Sequence, residues 1–300
     1  MTISAKIISG FLLILAWPLA AAAQEGDSIK TYHSIEEGLR EPNKVEYLEV
    51  INLTDQDSLV LLTSFPNLKG LSLIDYHFGT APEALSQLTQ LRELRFINDD
   101  FYTIPASYQN LVNLKKVEFI YDTHLNLQST FRFVAALPAL EELRIEGLSE
   151  PVFPDQIQFP VQLKVLSLRN NHLNALPEGI ASIKSLEILD VGNNELMELP
   201  TFIKMMPNLS TIYLDQQPFL RFDYAFSILK ELPALSVVHM EGNHLSREMV
   251  ELFTRESFFK VFLDEDHFMR TNHYTPHINM NLPPMLGTPS STFKIPINRN

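Results

Sequence analysis

The amino-acid sequence predicts an α/β solenoid, in which short parallel strands stack in register and compact segments return the chain to the next strand. Two observations predict this fold. A 23-residue pattern recurs through the middle of the chain, and each copy begins with apolar residues that alternate with other residues. Self-similarity at such a period is typical of stacked repeats, and alternation is typical of strands. The chain has 300 residues, 45% of them apolar and 20% charged, which is enough for one long core.

The pattern is clearest in two consecutive units, residues 163–185 and 186–208. Both fit L-x-x-L-x-L-x-x-N-x-L-x-x-L-P, and the same frame fits residues 68–90, 91–113 and 140–162. A residue followed by proline recurs in phase at Ala81-Pro82, Ile104-Pro105, Phe153-Pro154, Leu176-Pro177 and Leu199-Pro200. Two longer units of 26 residues, 114–139 and 209–234, lack this pair. The prediction therefore covers two kinds of unit.

Each part of the unit has its own predicted structure. The L-x-L segment has the period of a strand, with residues such as Leu168 and Val191 directed inward. Parallel strands need a return path, and proline at its start favours a tight extended or 3₁₀ route in the shorter units. The longer units have room for an α-helix, because residues such as Phe131, Val134 and Leu229 are apolar at helical spacing.

These motifs resemble the leucine-rich repeat family over residues 45–245. The short second half of the unit, together with the segment from His33 to Leu48, is similar to secreted bacterial members of the Bacteroidetes type. The resemblance implies a solenoid of about eight to nine units with a curved parallel sheet on its concave side. It also implies 3₁₀, extended and α-helical segments on the convex side, and a cap at both ends.

The asparagine of the pattern has a predicted structural role. Asn171, Asn194 and Asn243 can turn their amides inward and bond backbone groups at the strand exit, which a buried amide requires. Other side chains occupy the equivalent position in the remaining units, namely Tyr76, Asp99, Asp122, Leu148 and Gln217. Leu148 cannot make these bonds, so we expect its repeat to be locally irregular.

The first 23 residues have the composition of a secretory signal peptide. Lys6 precedes an apolar run from Ile7 to Leu19, and Ala21-Ala22-Ala23 fits a cleavage site. The alternative is a membrane anchor, but the run is shorter than the ~20 residues that span a bilayer. We expect a mature chain of residues 24–300 without an integral membrane span, exported to the periplasm, the cell surface or the medium.

Caps are predicted at both ends of the repeats. Residues 24–44 form the N-terminal cap, in which Ser34 to Glu37 has the pattern of a capping box. Residues 246–263 form the C-terminal cap, because Ser246 to Phe262 reads as an amphipathic helix. Residues 264–300 show no clear period and are predicted to be an irregular tail.

Composition excludes several functions. With 23 basic and 36 acidic residues, the net charge of −13 argues against nucleic acid as a partner. The absence of cysteine excludes disulfides, thiolate metal sites and a cysteine nucleophile. The acidic residues 264–266 with His267, His273 and His277 match no metal-binding spacing. No motif of a catalytic site is present, so we predict no catalytic residue, no metal, no cofactor and no enzyme activity.

Candidate binding residues lie at strand positions that face away from the predicted core. They are Ile74, Arg95, Ile97, Glu118, Ile120, Arg144, Arg169, Asp190, Tyr213, Asp215 and His239. The isoleucines form an exposed contact stripe, a β-branched ladder that stabilises the sheet, or a column that the tail covers. The charged residues, with Glu146, form either a surface that recognises a partner or ion pairs that satisfy one another. Tyr213 and His239 beside Asp215 and Glu241 are a candidate hot spot.

The sequence as a whole favours an exported, non-enzymatic module that binds a protein or peptide on its concave face. Such a surface would gain affinity from many small contacts on a rigid scaffold. The alternative is a structural or self-assembling component of the cell envelope, in which the isoleucines and the tail mediate self-association.

Overall fold

The computed structural model describes residues 30–264 apart from 54, 150 and 155. The predicted signal peptide and the predicted tail from residue 265 onward, with His267, His273 and His277, therefore lie outside the described residues. No helix among the residues described is both long and apolar enough to cross a membrane.

The dominant element is a sheet of eleven strands, all parallel, with strand order β1-β2-β3-β5-β7-β8-β9-β10-β11-β12-β13. Its strands are Thr31–Tyr32 (β1), Tyr47–Ile51 (β2), Gly70–Ile74 (β3), Glu93–Ile97 (β5), Lys116–Ile120 (β7), Glu142–Glu146 (β8), Val165–Ser167 (β9), Ile188–Asp190 (β10), Thr211–Tyr213 (β11), Val237–His239 (β12) and Lys260–Phe262 (β13). Gly79–Thr80 (β4) and Phe101–Thr103 (β6) pair in a second, two-stranded sheet. The predicted α/β solenoid is confirmed.

Strand register follows the repeat. Leu166 pairs with Leu189 and Leu189 with Ile212, so each residue faces the one that holds the same position in the next unit. All three side chains are fully buried, as the alternation predicted. The same inward positions of the other strands join them in one continuous core along the stack.

The N-terminal end begins with a short helix, Ile35–Gly38 (α1). The Ser34 hydroxyl accepts a hydrogen bond from the Glu37 N–H at 3.1 Å, and the Glu37 carboxylate accepts one from the His33 N–H at 2.9 Å. This reciprocal pair satisfies two donors that an uncapped helix would leave open. Ile35 is buried, so the helix covers the first repeat.

The return segments divide as the proline pattern predicted. After each of four prolines the chain forms a 3₁₀ helix, over Glu83–Gln87, Ala106–Asn110, Glu178–Ser182 and Thr201–Met205. The two longer units contain α-helices instead, Leu127–Ala135 (α2) and Phe222–Leu229 (α3). The unit of Leu148 is the exception, since the described residues between 151 and 160 form neither kind of helix.

The C-terminal end differs from the predicted single helix. The helix covers only Arg247–Glu256 (α4), with the Ser246 hydroxyl accepting from the Met249 N–H at 3.2 Å. Lys260–Phe262 then forms β13, whose Lys260 N–H donates to the Ser236 carbonyl at 2.8 Å. Aromatic and β-branched residues favour a strand in this stretch. The prediction of one helix from 246 to 263 is therefore wrong beyond Glu256.

Besides Gly79 and His172, the described residues in the left-handed region occur at the same place in each unit, immediately before the asparagine position. They are Asn52, Asp75, Asn98, Tyr121, Gly147, Asn170, Asn193, Gln216 and Gly242, all with φ between +49° and +79°. Asparagine and glycine tolerate this conformation best, whereas a bulky side chain does so at a cost. At Gly147 a Cβ atom would lie 2.2 Å from the Tyr121 ring, so glycine is required there.

The asparagine position forms a buried polar ladder at the strand exits. Asn194 accepts hydrogen bonds from the N–H groups of Asn171 and Leu173, each at 3.0 Å, and its amide donates to the Leu168 and Val191 carbonyls. Asn171, Gln217 and Asn243 bond their neighbours in the same manner. The predicted role of this position is confirmed.

Candidate functional site

The candidate site is the side of the eleven-stranded sheet that faces away from the core, called here the sheet surface. Two columns of side chains on it contain every predicted binding residue. One runs Ser72, Arg95, Glu118, Arg144, Ser167, Asp190, Tyr213, His239, Phe262, and the other runs Ile51, Ile74, Ile97, Ile120, Glu146, Arg169, Gly192, Asp215, Glu241. A third column includes Glu93, Lys116 and Glu142, which sequence reasoning did not consider.

The isoleucines are not an exposed stripe. Ile74 and Ile97 are only 8% and 4% exposed, Ile120 is half-buried, and Ile51 alone is open at 47%. In a parallel sheet, neighbours in one column stand about 4.8 Å apart, so an interior isoleucine is packed between two others. Ile51 has a neighbour on one side only, because β1 pairs with β2 no further than Leu48. The burial of Ile74 and Ile97 favours the β-branched ladder over an exposed stripe.

The N-terminal part of the sheet surface contains a closed ionic network, here called the Glu118 network. Glu118 contacts Arg95 (Nε to Oε2, 2.5 Å), Arg144 (3.2 Å) and Lys116 (3.2 Å). Lys116 and Arg144 also contact Glu142, at 3.1 Å and 2.9 Å. The structure thus pairs these charges with one another.

Electrostatic shifts agree with this arrangement. Burial disfavours the charge on Arg144, but the carboxylates of Glu146, Glu118 and Glu142 outweigh it and raise the pKa of Arg144. Burial raises the pKa of Glu146. The charge of Arg144 and a hydrogen bond of 2.6 Å from the Ser167 hydroxyl to the Glu146 carboxylate oppose this rise. Charges held in this way are costly to separate, so the network stabilises one arrangement of side chains.

A second ionic group, here called the Arg169 clamp, lies farther along the sheet. Arg169 donates to both carboxylate oxygens of Asp215, at 2.7 and 2.6 Å, and to Asp190 at 3.0 Å. It reaches Asp215 by crossing Gly192, where a Cβ atom would lie 2.4 Å from a guanidinium nitrogen. The pKa of Arg169 is raised by both carboxylates, although burial opposes this. The clamp holds two acids on adjacent strands in fixed positions.

Three aromatic rings stack across the last three strands, and they are here called the aromatic stack. Tyr213 and His239 lie 4.2 Å apart between ring centroids at 7°, and His239 and Phe262 lie 4.6 Å apart at 6°. Glu241 Oε1 lies 3.2 Å from His239 Nδ1. Burial would raise the pKa of Glu241, but His239 and backbone N–H groups lower it, so Glu241 is an anion.

Phe262 is the member of the stack that sequence reasoning missed, because residues 246–262 were interpreted as a helix. It is 40% exposed, whereas Tyr213 is buried and His239 half-buried. The signal that could have found it is the apolar alternation of Phe259, Val261 and Leu263, which places Phe262 on the opposite face.

Two cavities lie away from the sheet surface. One of about 670 Å³ lies between α2 and the segment around Gln156, and one of about 410 Å³ lies at the strand exits near Tyr121 and His172. Within the described part of the chain, no group of three or more His, Asp or Glu side chains is placed to hold a metal ion.

Comparison with known proteins gives the fold. Residues 161–204 match the family model described as Leucine Rich repeats (2 copies). An internalin from Listeria monocytogenes has a similar structure, with a TM-score of 0.52 and 17% identity over 77% of this chain and 70% of that chain. No curated protein matches this chain in sequence.

Toll from Drosophila, in its complex with Spatzle, is also similar in structure. The TM-score is 0.51 and the identity 20%, over 78% of this chain. This chain spans 33% of the length of that Toll chain. Both similarities concern the arrangement of the backbone.

Proposed function

We propose that this chain, which has the fold of a leucine-rich repeat protein and matches the repeat model over residues 161–204, is an exported, non-enzymatic module that binds a protein or peptide on its sheet surface. The observation that carries the proposal is the aromatic stack, which ends in the exposed ring of Phe262 and lies beside the Arg169 clamp. The few residues that carry most of the affinity at protein interfaces are enriched in aromatic residues and arginine.

The two parts of the sheet surface contribute differently to this proposal. In the Glu118 network every charge has partners within the network, so a ligand would have to displace existing ion pairs. In the aromatic stack, the outer ring of Phe262 has no further strand beside it among the described residues. We therefore assign the contact to Arg169, Asp190, Tyr213, Asp215 and His239, together with Glu241 and Phe262, and assign a supporting role to Arg95, Glu118 and Arg144.

Rigidity supports the proposal. The stacked rings and the bidentate bond between Arg169 and Asp215 fix these side chains before any partner arrives. A surface organised in advance loses less conformational entropy on binding, which leaves more of the contact energy as affinity.

Site-specific photo-crosslinking tests this assignment. A photoreactive phenylalanine analogue is placed at Phe262 in residues 24–300, and the matched control carries it at Phe219, which is also exposed but lies between β11 and α3. Both proteins are irradiated with extracts of envelope and medium. We expect one protein to be crosslinked from position 262 and not from 219, and the crosslink to be lost in Tyr213→Ala/Asp215→Ala. Crosslinking from 219 alone would contradict the assignment.

The alternative, a self-assembling scaffold, is separated by the same experiment. If the product crosslinked from position 262 is a second copy of this chain, the surface mediates self-association and the ligand hypothesis is wrong. Export is tested independently by sequencing the N-terminus of the protein recovered outside the cytoplasm, where the prediction is a chain that begins at Gln24.

A further inference from the structure

The buried polar ladder changes its chemistry in two consecutive units. Asp99 and Asp122 occupy the position that asparagine holds at 171, 194 and 243. Asp99 Oδ1 accepts a hydrogen bond from the Tyr76 N–H at 2.7 Å, and Asp122 Oδ1 accepts one from the Asp99 N–H at 2.8 Å. One oxygen of each carboxyl group therefore performs the accepting role of the asparagine amide.

The second oxygen lies where the amide has its donor. In three units the side-chain nitrogen donates to a carbonyl exactly 26 positions earlier, from Asn171 to Ile145, from Asn194 to Leu168 and from Gln217 to Val191. The same offset assigns the Leu73 carbonyl to Asp99 and the Phe96 carbonyl to Asp122. Both Oδ2 atoms are buried, and neither has a hydrogen-bond partner. An ionised oxygen would face a carbonyl oxygen with no proton between them.

The electrostatic surroundings disfavour ionisation. Burial raises the pKa of Asp122 well above its usual range. Burial and then the neighbouring Asp122 carboxyl group raise the pKa of Asp99 to about 9, with a further contribution from Asp75, and the backbone N–H groups of Tyr76 and Ile97 oppose this rise. The other titratable groups near Asp99 are the phenols of Tyr76 and Tyr108, which supply no positive charge.

We propose that Asp99 and Asp122 are protonated in the folded protein, with each Oδ2–H donating to the carbonyl of Leu73 or Phe96 in place of an asparagine amide. The repeats that contain them are then a pH-sensitive element of the solenoid. When these repeats unfold near neutral pH, each carboxyl group releases its proton to water and becomes a hydrated carboxylate.

The direction of the pH dependence follows from this proton release. The unfolded chain loses the two protons near pH 4, whereas the folded chain retains them to higher pH. The contribution of these two groups to the free energy of unfolding is therefore greatest at or below about pH 4 and falls as the pH rises towards the folded pKa values. For each proton that the folded chain retains and the unfolded chain loses, the ratio of folded to unfolded protein falls about tenfold per unit of rising pH in this window. Above the folded pKa values the dependence disappears.

The test compares Asp99→Asn/Asp122→Asn with the wild-type protein in the full chain. Chemical denaturation is followed by circular dichroism at intervals between pH 5 and pH 9. We expect the free energy of unfolding of the double variant to depend less steeply on pH, because the two protons that wild type releases on unfolding are absent. We also expect the double variant to be more stable than wild type at pH 8. An unchanged slope would overturn the proposal. Asp223→Asn, at an exposed carboxyl group on α3, controls for the loss of one carboxyl group.

Two further measurements keep the test decisive if the double variant fails to fold. The wild-type protein labelled with ¹³C-aspartate should show the infrared carbonyl band of a protonated carboxylic acid at pH 7, and a spectrum of carboxylates alone would overturn the proposal. The reciprocal variant Asn194→Asp should fold at pH 5 and acquire a steeper loss of stability with rising pH than wild type. An unchanged dependence in a folded Asn194→Asp protein would also contradict it.

Discussion

The two halves of the sheet use one backbone frame and different side-chain chemistry. The strands β2, β3, β5, β7 and β8 have five residues each, and β9 to β12 have three. The first half combines the Glu118 network with aspartates in the polar ladder. The second half combines the Arg169 clamp and the aromatic stack with asparagine or glutamine in the ladder. The leucine positions thus fix the fold, whereas the positions between them give the two halves different side-chain chemistry.

The largest expected loss of stability comes from a substitution that breaks the Glu118 network. Glu118→Ala leaves Arg95, Lys116 and Arg144 around a buried space without their shared carboxylate. Removal of one partner from a buried ion pair costs about 3–5 kcal/mol of the free energy of unfolding. The matched control is Glu141→Ala, whose partly exposed pairs with Lys115 and Lys164 are worth less than about 1 kcal/mol. Denaturant titration measures both, and equal effects would contradict the comparison.

The second effect concerns the boundary between the halves, where Tyr121 rests on Gly147. Gly147→Ala places a Cβ atom into the Tyr121 ring at a residue with φ +79°, and we expect a loss of about 3 kcal/mol. Gly79→Ala is the control, because its φ is +75° but nothing lies within 4 Å of the new atom. Its cost should be only the conformational one, about 1 kcal/mol. The difference between the thermal unfolding midpoints of the two variants measures the cost of the contact with the Tyr121 ring.

A smaller, pH-dependent effect lies at Glu93, next to the Glu118 network. Burial raises the pKa of Glu93 to about 7, against the opposing charge of Lys116. The folded chain therefore retains this proton between about pH 4.5 and pH 7, so stability falls with rising pH in that window. In Glu93→Gln the free energy of unfolding should no longer fall over this window. The fall removed is about 1 kcal/mol after allowance for the partial exposure of Glu93. Denaturation at pH 5 and pH 8 measures it, with exposed Glu178→Gln as the control; an equal change in both would contradict the assignment.

The smallest expected effect on stability is at the other end of the sheet. Phe262→Ala removes a ring that is 40% exposed, so the free energy of unfolding should fall by less than about 1 kcal/mol. Phe96→Ala, in the fully buried core, should cost about 3–5 kcal/mol. Binding of the crosslinked partner should be lost in Phe262→Ala and retained in folded Phe96→Ala. The reverse result would place recognition elsewhere.

The repeat frame was sufficient to predict the strands, the inward leucines and the 3₁₀ returns, because each depends on residues close in sequence. The burial of Ile74 and Ile97 was left open by the sequence, because it depends on neighbours one strand away on both sides. The path of Arg169 across Gly192 to Asp215 depends on three strands at once, so no single repeat contains it. Phe262 was missed because its short segment has the apolar content of either a helix or a strand.

The strict register of the sheet places equivalent side chains of successive units at regular intervals. Adjacent strands are spaced by about 4.8 Å, so the separation of two side chains in one column is that distance multiplied by the number of strand-to-strand steps from one to the other. Arg169 and Asp215 are two strand spacings apart, and the long guanidinium side chain matches that gap. Gain or loss of a whole 23-residue unit would therefore lengthen or shorten the sheet surface by one such step while the other strands keep their register.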